Sequence, residues 1–174
     1  GDDAGIAAGL KEFRWTDSAA SGPQPVWKLA YPGSVGSQTL LGIAHLEALR
    51  RHPWRDGKAR IWPFETGLKP MIRPGDDDWR LLFAEVYPSM LPVETRPGEV
   101  KDAAQVRTVV SHFARLDQQG RLAALFAGPP DLSAEHRQAI ETEEAWILGI
   151  ETTARARPMA VASTPERGRA WTVV

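Results

Sequence analysis

Cysteine is absent from this chain of 174 residues, and charge of neither sign is in excess. The lack of cysteine excludes disulfides and thiolate metal sites and is compatible with a reducing compartment, so we expect a cytoplasmic protein. The formal net charge is -1, which leaves no overall basic field to attract nucleic acid. No apolar run approaches the ~20 residues of a membrane-spanning helix, so we expect no membrane association.

The composition that is present fits one domain with a hydrophobic core, because 43% of the residues are hydrophobic and 25% are charged. Small and polar residues predominate before a Pro-rich turn, which predicts a flexible or partly helical lead-in over residues 1–25. Residues 26–150 carry the periodic apolar patterns and form the predicted α/β domain. Residues 151–174 are rich in Thr, Arg, Ala and Pro, which is typical of an extended C-terminal tail.

Hydrophobic spacing within the domain predicts three helices and two strands. The helices are expected over about 39–51, 101–118 and 133–148, and the strands over 59–64 and 81–87. The second helix has an apolar stripe that we expect to be buried, formed by Ala104, Val106, Val109, Val110, Phe113 and Leu116. Ser133 is a good N-cap for the third helix, and Gly149 is its natural stop.

Glu85 is the first candidate for chemistry, because it is a carboxylate set inside an apolar strand. An acid in such a place is costly unless it is paired, hydrogen-bonded or bound to a metal. A functional role and a structural role are both open at this point. In the structural role Glu85 reaches solvent or an arginine, and Arg80 and Arg107 are the arginines we considered.

Further acids lie where a site could form. Glu143 and Glu144 intrude among the apolar residues of the last predicted helix, although a solvated face is the alternative. Glu65 closes the first strand, and the carboxyl ends of strands are where open α/β sheets place ligands. Glu65 is equally well explained as a turn cap.

A glycine- and serine-containing segment precedes the first predicted helix and is a candidate anion site. Free backbone N–H groups at a helix N-terminus bind anions, and glycines allow a close approach. An ordinary loop with a capping hydroxyl is the alternative. The predicted phosphate-binding residues are Gly33, Ser34, Gly36 and Ser37, with Lys28 and Lys101 adding charge.

Taken together, several motifs resemble the C-terminal half of the DUF429-related predicted nucleases of bacteria, over residues 26–150. The motifs occur in this order: Val26-Trp27-Lys28-Leu29, Gly33-Ser34-Val35-Gly36-Ser37-Gln38, Trp62-Pro63-Phe64-Glu65, Ala84-Glu85-Val86-Tyr87-Pro88-Ser89, Val100-Lys101-Asp102-Ala103-Ala104-Gln105-Val106 and Glu143-Glu144-Ala145-Trp146-Ile147-Leu148-Gly149. The resemblance implies an α/β, layered, ribonuclease H-like fold, partial or atypical, with helices packed on a small central sheet.

The resemblance also implies a metal site made of acids from two central strands and the closing helix. Glu85 matches the later strand, and Glu143 or Glu144 matches the helix, where a Glu pair stands in place of the usual Asp. Glu85, Glu144 and Glu65 are therefore the expected ligands for Mg²⁺ or Mn²⁺. The first-strand Asp of that group would lie upstream, so we expect half of an active site in these residues.

The leading functional prediction is accordingly a divalent-metal-dependent phosphodiesterase, nuclease-like and incomplete as a catalyst on its own, with nucleic acid or a nucleotide as its partner. The alternative is a non-catalytic module that binds phosphate, a nucleotide or another protein. A protein-interaction domain is favoured if Glu85 is salt-bridged to an arginine. Because a sheet with two good strands is marginal alone, we also expect a partner chain or a homodimer to complete it.

Overall fold

A two-stranded parallel sheet lies at the centre of the described part of the chain. The strands are β1 (Ala59–Ile61) and β2 (Leu81–Phe83), and they pair in register with Ala59 opposite Leu81. The structure is a computed structural model, and it describes residues 12–20, 22–25, 28–29, 36–52, 58–71 and 79–150. Residues 1–11 and 21 of the predicted lead-in and the whole predicted tail at 151–174 lie outside the described residues.

Helices account for most of the regular structure in these ranges. Two short turns accompany them, a 3-10 turn at Pro88–Met90 and a π-helical turn at Ile140–Glu144. The helices are α1 (Trp15–Ala19), α2 (Gly36–Arg50), α3 (Lys101–Gln118), α4 (Leu122–Leu125) and α5 (Ala134–Ala139). The predicted mixture of helices and a small sheet is therefore confirmed at the level of an α/β fold.

Both strands are shorter than their apolar runs predicted. β1 ends at Ile61 because the chain turns over residues 62–66, and Glu65 Oε2 accepts the Ile61 N–H at 2.7 Å. β2 ends at Phe83, and two residues later Glu85 makes a single parallel bridge with Ile147. Strand propensity alone gave no sign of these early ends, which are set by side-chain and tertiary contacts.

The helix predictions were right for α3 and wrong at the ends of the other two. α2 begins at Gly36, three residues before the predicted start. Ser133 does cap α5, since its Oγ accepts the His136 N–H at 3.1 Å. The predicted helix over 133–148 nevertheless stops being α-helical after Ala139, and it continues only as the π-helical turn.

The hydrophobic core lies between the sheet, α3 and the segment that follows α5. Its largest fully buried side chains include two indoles, each with its N–H bonded to a backbone carbonyl: Trp62 to Phe126 at 3.0 Å and Trp146 to Ile150 at 3.1 Å. The predicted buried stripe of α3 is right at four of its six residues. Ala104, Val109, Phe113 and Leu116 are buried, whereas Val106 and Val110 are exposed, because they lie on the opposite side of the helix.

No helix among the residues that the structure describes is both long and apolar enough to cross a membrane.

The two sides of α3 should respond very differently to truncation. Phe113 is 1% exposed and Val106 is 62% exposed. We expect Phe113→Ala to lower the free energy of unfolding by about 3–5 kcal/mol through cavity formation, and Val106→Ala to change it by less than about 0.5 kcal/mol. Urea unfolding followed by circular dichroism measures both values. Similar losses in the two variants would contradict this packing of α3.

Candidate functional site

Arg14 is the centre of the most extensive polar cluster among the described residues. Its guanidinium bonds both carboxylate oxygens of Glu85, at 2.7 and 2.8 Å, and both oxygens of Asp17, at 2.9 Å each. Its Nη1 also donates to the backbone carbonyl of Glu144 at 3.1 Å. A guanidinium has five N–H donors, and these five contacts use the whole set.

The three side chains of the cluster differ in how much of their surface is exposed to solvent. The Asp17 side chain is 1% exposed, that of Arg14 is 19% exposed, and that of Glu85 is 40% exposed. Burial by itself would lower the pKa of Arg14, but the hydrogen bonds that it donates to Glu85 and Asp17 outweigh this effect and hold that pKa above its ordinary value. Arg14 is therefore permanently charged, and it neutralises an acid that has almost no access to water.

The local sequence explains why Arg14 points into this cluster. Arg14 is the N-cap of α1 in an extended conformation, and its backbone N–H donates to Asp17 Oδ2 at 3.1 Å. Asp17 thus closes a capping box and also favours the positive end of the helix. Because these contacts fix the first turn of α1, the Arg14 side chain extends to Glu85, two residues after the end of β2.

The next two residues of α1 bind the segment after α5. The Trp15 N–H donates to Glu144 Oε2 at 2.8 Å, and Thr16 Oγ1 accepts the Ile147 N–H at 2.9 Å. The Trp15 and His136 rings lie 3.6 Å apart between centroids. Residues 14–16 are therefore bound both to Glu85 after β2 and to the segment after α5. The prediction of a flexible or partly helical lead-in did not include these contacts.

Backbone strain lies directly beside these contacts. Ala145 follows the π-helical turn with φ 61° and ψ -174°, a region that is essentially restricted to glycine. Its neighbour Glu144 and, two residues on, Ile147 are both held by α1. Strained residues persist where surrounding contacts fix them, and they cluster at functional sites, as π-helical turns also do.

The predicted metal ligands are only partly brought together. The Glu85 carboxylate accepts from Arg14, whereas the Glu144 carboxylate accepts from the Trp15 N–H and only the Glu144 backbone carbonyl accepts from Arg14. Glu143 is exposed. Glu65 has other partners, the Ile61 N–H and Arg50 Nη1, so it acts as the turn cap that was the alternative interpretation.

The partner of Glu85 is neither of the arginines considered from the sequence. Arg107 instead binds Glu99 at 2.8 Å across the start of α3. The residue that sequence reasoning missed is Arg14, together with Asp17. The one available signal was their spacing, since an acid three residues after a helix N-cap is typical of a capping box.

The predicted anion site is described only in part. Gly33 and Ser34 lie outside the described residues. The Gly36 N–H donates to the Lys28 carbonyl at 3.3 Å, and Lys28 Nζ donates to Gln24 Oε1 at 2.7 Å, so both have protein partners. Ser37 and Lys101 are exposed. Their role in phosphate binding stays a prediction.

Within the ranges described above, no group of three or more His, Asp or Glu side chains is arranged to hold a metal ion. The acids near Glu85 converge on a guanidinium instead. No protein-family model, curated protein or solved structure matches this chain. The ribonuclease H-like resemblance, the Mg²⁺ or Mn²⁺ ligands and the nuclease-like activity therefore stay predictions.

Replacing Arg14 should lower the free energy of unfolding more than replacing its partner Glu85. Arg14→Met leaves Asp17 charged and buried without its partner, so we expect a loss of about 3 kcal/mol in the free energy of unfolding. Glu85→Gln removes an exposed acid and leaves Arg14 paired with Asp17, so we expect a loss below about 1 kcal/mol. Denaturant unfolding of the two variants tests this order. A Glu85→Gln variant that loses as much as Arg14→Met would be the contrary result.

Proposed function

We propose that this chain is a non-catalytic protein-interaction module that binds its partner through α2. The observation that carries the proposal is the exposure of α2, a helix of 15 residues in which Gly36 is the one buried position. A helix with apolar side chains on its free surface is stable in water only at a cost, and such surfaces typically mark binding sites.

The apolar character of α2 is concentrated in its first eleven residues. From Gly36 to Leu46 the helix carries no Asp, Glu, Lys or Arg. Leu40, Leu41 and Ile43 are between 60% and 65% exposed. The first charged residue is Glu47, so about 16 Å of helix, at about 1.5 Å per residue, presents an uncharged surface.

Polar contacts hold the C-terminal end of α2 on the domain. Arg50 bonds Glu65 at 3.1 Å, beside the end of β1. Arg50 and Arg51 also bind Glu47, and these hydrogen bonds hold the Glu47 pKa at about 2, so the acid is ionised at physiological pH. An ionic attachment at one end leaves the uncharged part of the helix available for a partner.

A second copy of this chain is the partner that we propose, and the charges of α2 favour an antiparallel arrangement of the two helices. Two parallel α2 helices would bring Arg50 and Arg51 of both copies together, and these like charges repel. Two antiparallel helices place these ends apart and set the uncharged residues 36–46 of each copy against one another. A two-fold axis of this kind makes the same surface serve both subunits.

The state of Glu85 supports the non-catalytic part of the proposal. Both of its carboxylate oxygens accept hydrogen bonds from Arg14. A divalent metal at Glu85 would have to replace that guanidinium or lie against its positive charge. The arrangement is the salt bridge to an arginine that favours an interaction domain over a metal site.

A nuclease-like phosphodiesterase of ribonuclease H-like fold is the second candidate. It is supported by the meeting of Glu85 and Glu144 at α1, since these are two of the acids expected to bind Mg²⁺ or Mn²⁺. In this alternative the remaining ligands come from outside the described residues or from a partner chain, and nucleic acid is the substrate.

The self-association proposal predicts a dimer that is sensitive to charge on α2. We expect analytical ultracentrifugation of the wild-type chain to show a concentration-dependent dimer. Ile43→Glu should raise its dissociation constant by about 10-fold or more, because a carboxylate would be buried without a partner. Val106→Glu is the matched control, since Val106 is similarly exposed on α3, and it should leave the constant unchanged. A wild-type chain that stays monomeric at high concentration would refute the proposal.

The two candidates differ in their expected activity. We expect no strong cleavage of single- or double-stranded DNA or RNA by this chain with Mg²⁺ or Mn²⁺, because two-metal catalysis needs several carboxylates in fixed geometry. Glu85→Gln serves as the control in a gel assay. Robust cleavage that Glu85→Gln abolishes would establish the nuclease-like alternative.

A further inference from the structure

We propose that the segment of residues 12–20, called the strap below, detaches from the domain as a unit while the core stays folded. The hydrogen bonds of Arg14 to Glu85 and to the Glu144 carbonyl hold the strap on the domain. The proposal is independent of self-association through α2.

The strap is attached mainly by polar contacts rather than by core packing. The buried hydrophobic residues all belong to the range 59–148, and the strap adds the partly buried Trp15 and Ala19 to the edge of that core. Its two buried side chains, Thr16 at 0% and Asp17 at 4% exposure, are polar. α1 has five residues, too few to be stable as an isolated helix. Detachment therefore removes no hydrophobic side chain of the range 59–148 from the core, and the strap loses its structure when it leaves.

The polar contacts described across this boundary lie close together. They include the Arg14 bonds to Glu85 and to the Glu144 carbonyl, the Trp15 N–H bond to Glu144 and the Thr16 bond from the Ile147 N–H, and the Trp15 ring also contacts His136. Because they involve consecutive residues of one short helix, the loss of the Arg14 contacts weakens all the others together. Segments with few buried apolar contacts open at free energies well below that of global unfolding.

The strained residue supplies a driving force for release. Ala145 lies between Glu144 and Trp146, and the strap binds the chain on both sides of it, at Glu144 and at Ile147. When the strap is closed these bonds hold the backbone around Ala145, and when it opens the residue is free to relax. Release also frees the carboxylates of Glu85 and Glu144 from their α1 partners.

Two adjacent amides report separately on the strap and on the domain. The Ile147 N–H donates to Thr16 in the strap, and the Leu148 N–H donates to the Glu85 carbonyl in the domain at 2.8 Å. Both residues are fully buried. Native-state hydrogen exchange measured by NMR therefore separates strap opening at Ile147 from global opening at Leu148.

In the wild-type chain we expect Ile147 to exchange faster than Leu148 and to accelerate when salt screens the exposed Arg14–Glu85 pair. Arg14→Met removes bonds that both strap opening and global unfolding break, so it should accelerate exchange at Ile147 and at Leu148 by a similar factor, on the order of 10- to 100-fold, with Ile147 still the faster of the two. Glu85→Gln is a milder change that keeps the buried Asp17 paired, and it should accelerate exchange at Ile147 roughly 2- to 5-fold. It takes the place of Arg14→Met in the test if that variant does not fold.

A third variant, Ala145→Gly, is expected to slow hydrogen exchange rather than accelerate it. Ala145→Gly accommodates the positive φ without strain, so it should stabilise the closed strap and slow exchange at both Ile147 and Leu148. Equal exchange at the two amides in the wild-type chain and in every variant would overturn the proposal, because the strap would then open only when the whole domain unfolds.

Discussion

The attachment of α1 to the domain and the arrangement of the acids around it depend on one buried ionic contact, the pair formed by Arg14 and Asp17. Asp17 has almost no exposure, so its charge is tolerable only beside a permanent cation that is fully hydrogen-bonded. Satisfying that requirement fixes the first turn of α1, and the remaining N–H groups of Arg14 then reach the end of β2 and the carbonyl of Glu144. A segment that is remote in sequence thus connects the sheet to the turn after α5.

The same contact alters how the acids of the chain are interpreted. Considered from the sequence, Glu85 and Glu144 are acids in apolar surroundings, which is a reasonable signature of metal chemistry. In the folded chain both face the start of α1, and Glu85 is neutralised by Arg14. An electrostatic account of the fold is therefore sufficient for Glu85, and the unexplained surface of the molecule is α2, with its exposed leucines and isoleucine.

Sequence reasoning succeeded where local periodicity controls structure. The bounds of α3 and the Ser133 cap followed from spacing and capping rules. It failed where contacts between residues far apart in the sequence determine the local structure. The bridge between Glu85 and Ile147 and the π-helical turn both depend on tertiary contacts that have no local pattern. Arg14 was missed because an arginine near a polar lead-in resembles a solvated residue until its partners, 71 and 130 positions away, are known.

The most direct test of this account is a double-mutant cycle between Arg14→Met and Asp17→Asn, measured by denaturant unfolding. Asparagine keeps the shape and the capping oxygen of Asp17 but removes its charge. We predict a coupling free energy of about 2 kcal/mol, because Arg14→Met should be far less harmful once the buried charge is gone. Additivity of the two substitutions within about 0.3 kcal/mol would contradict the central role of this pair.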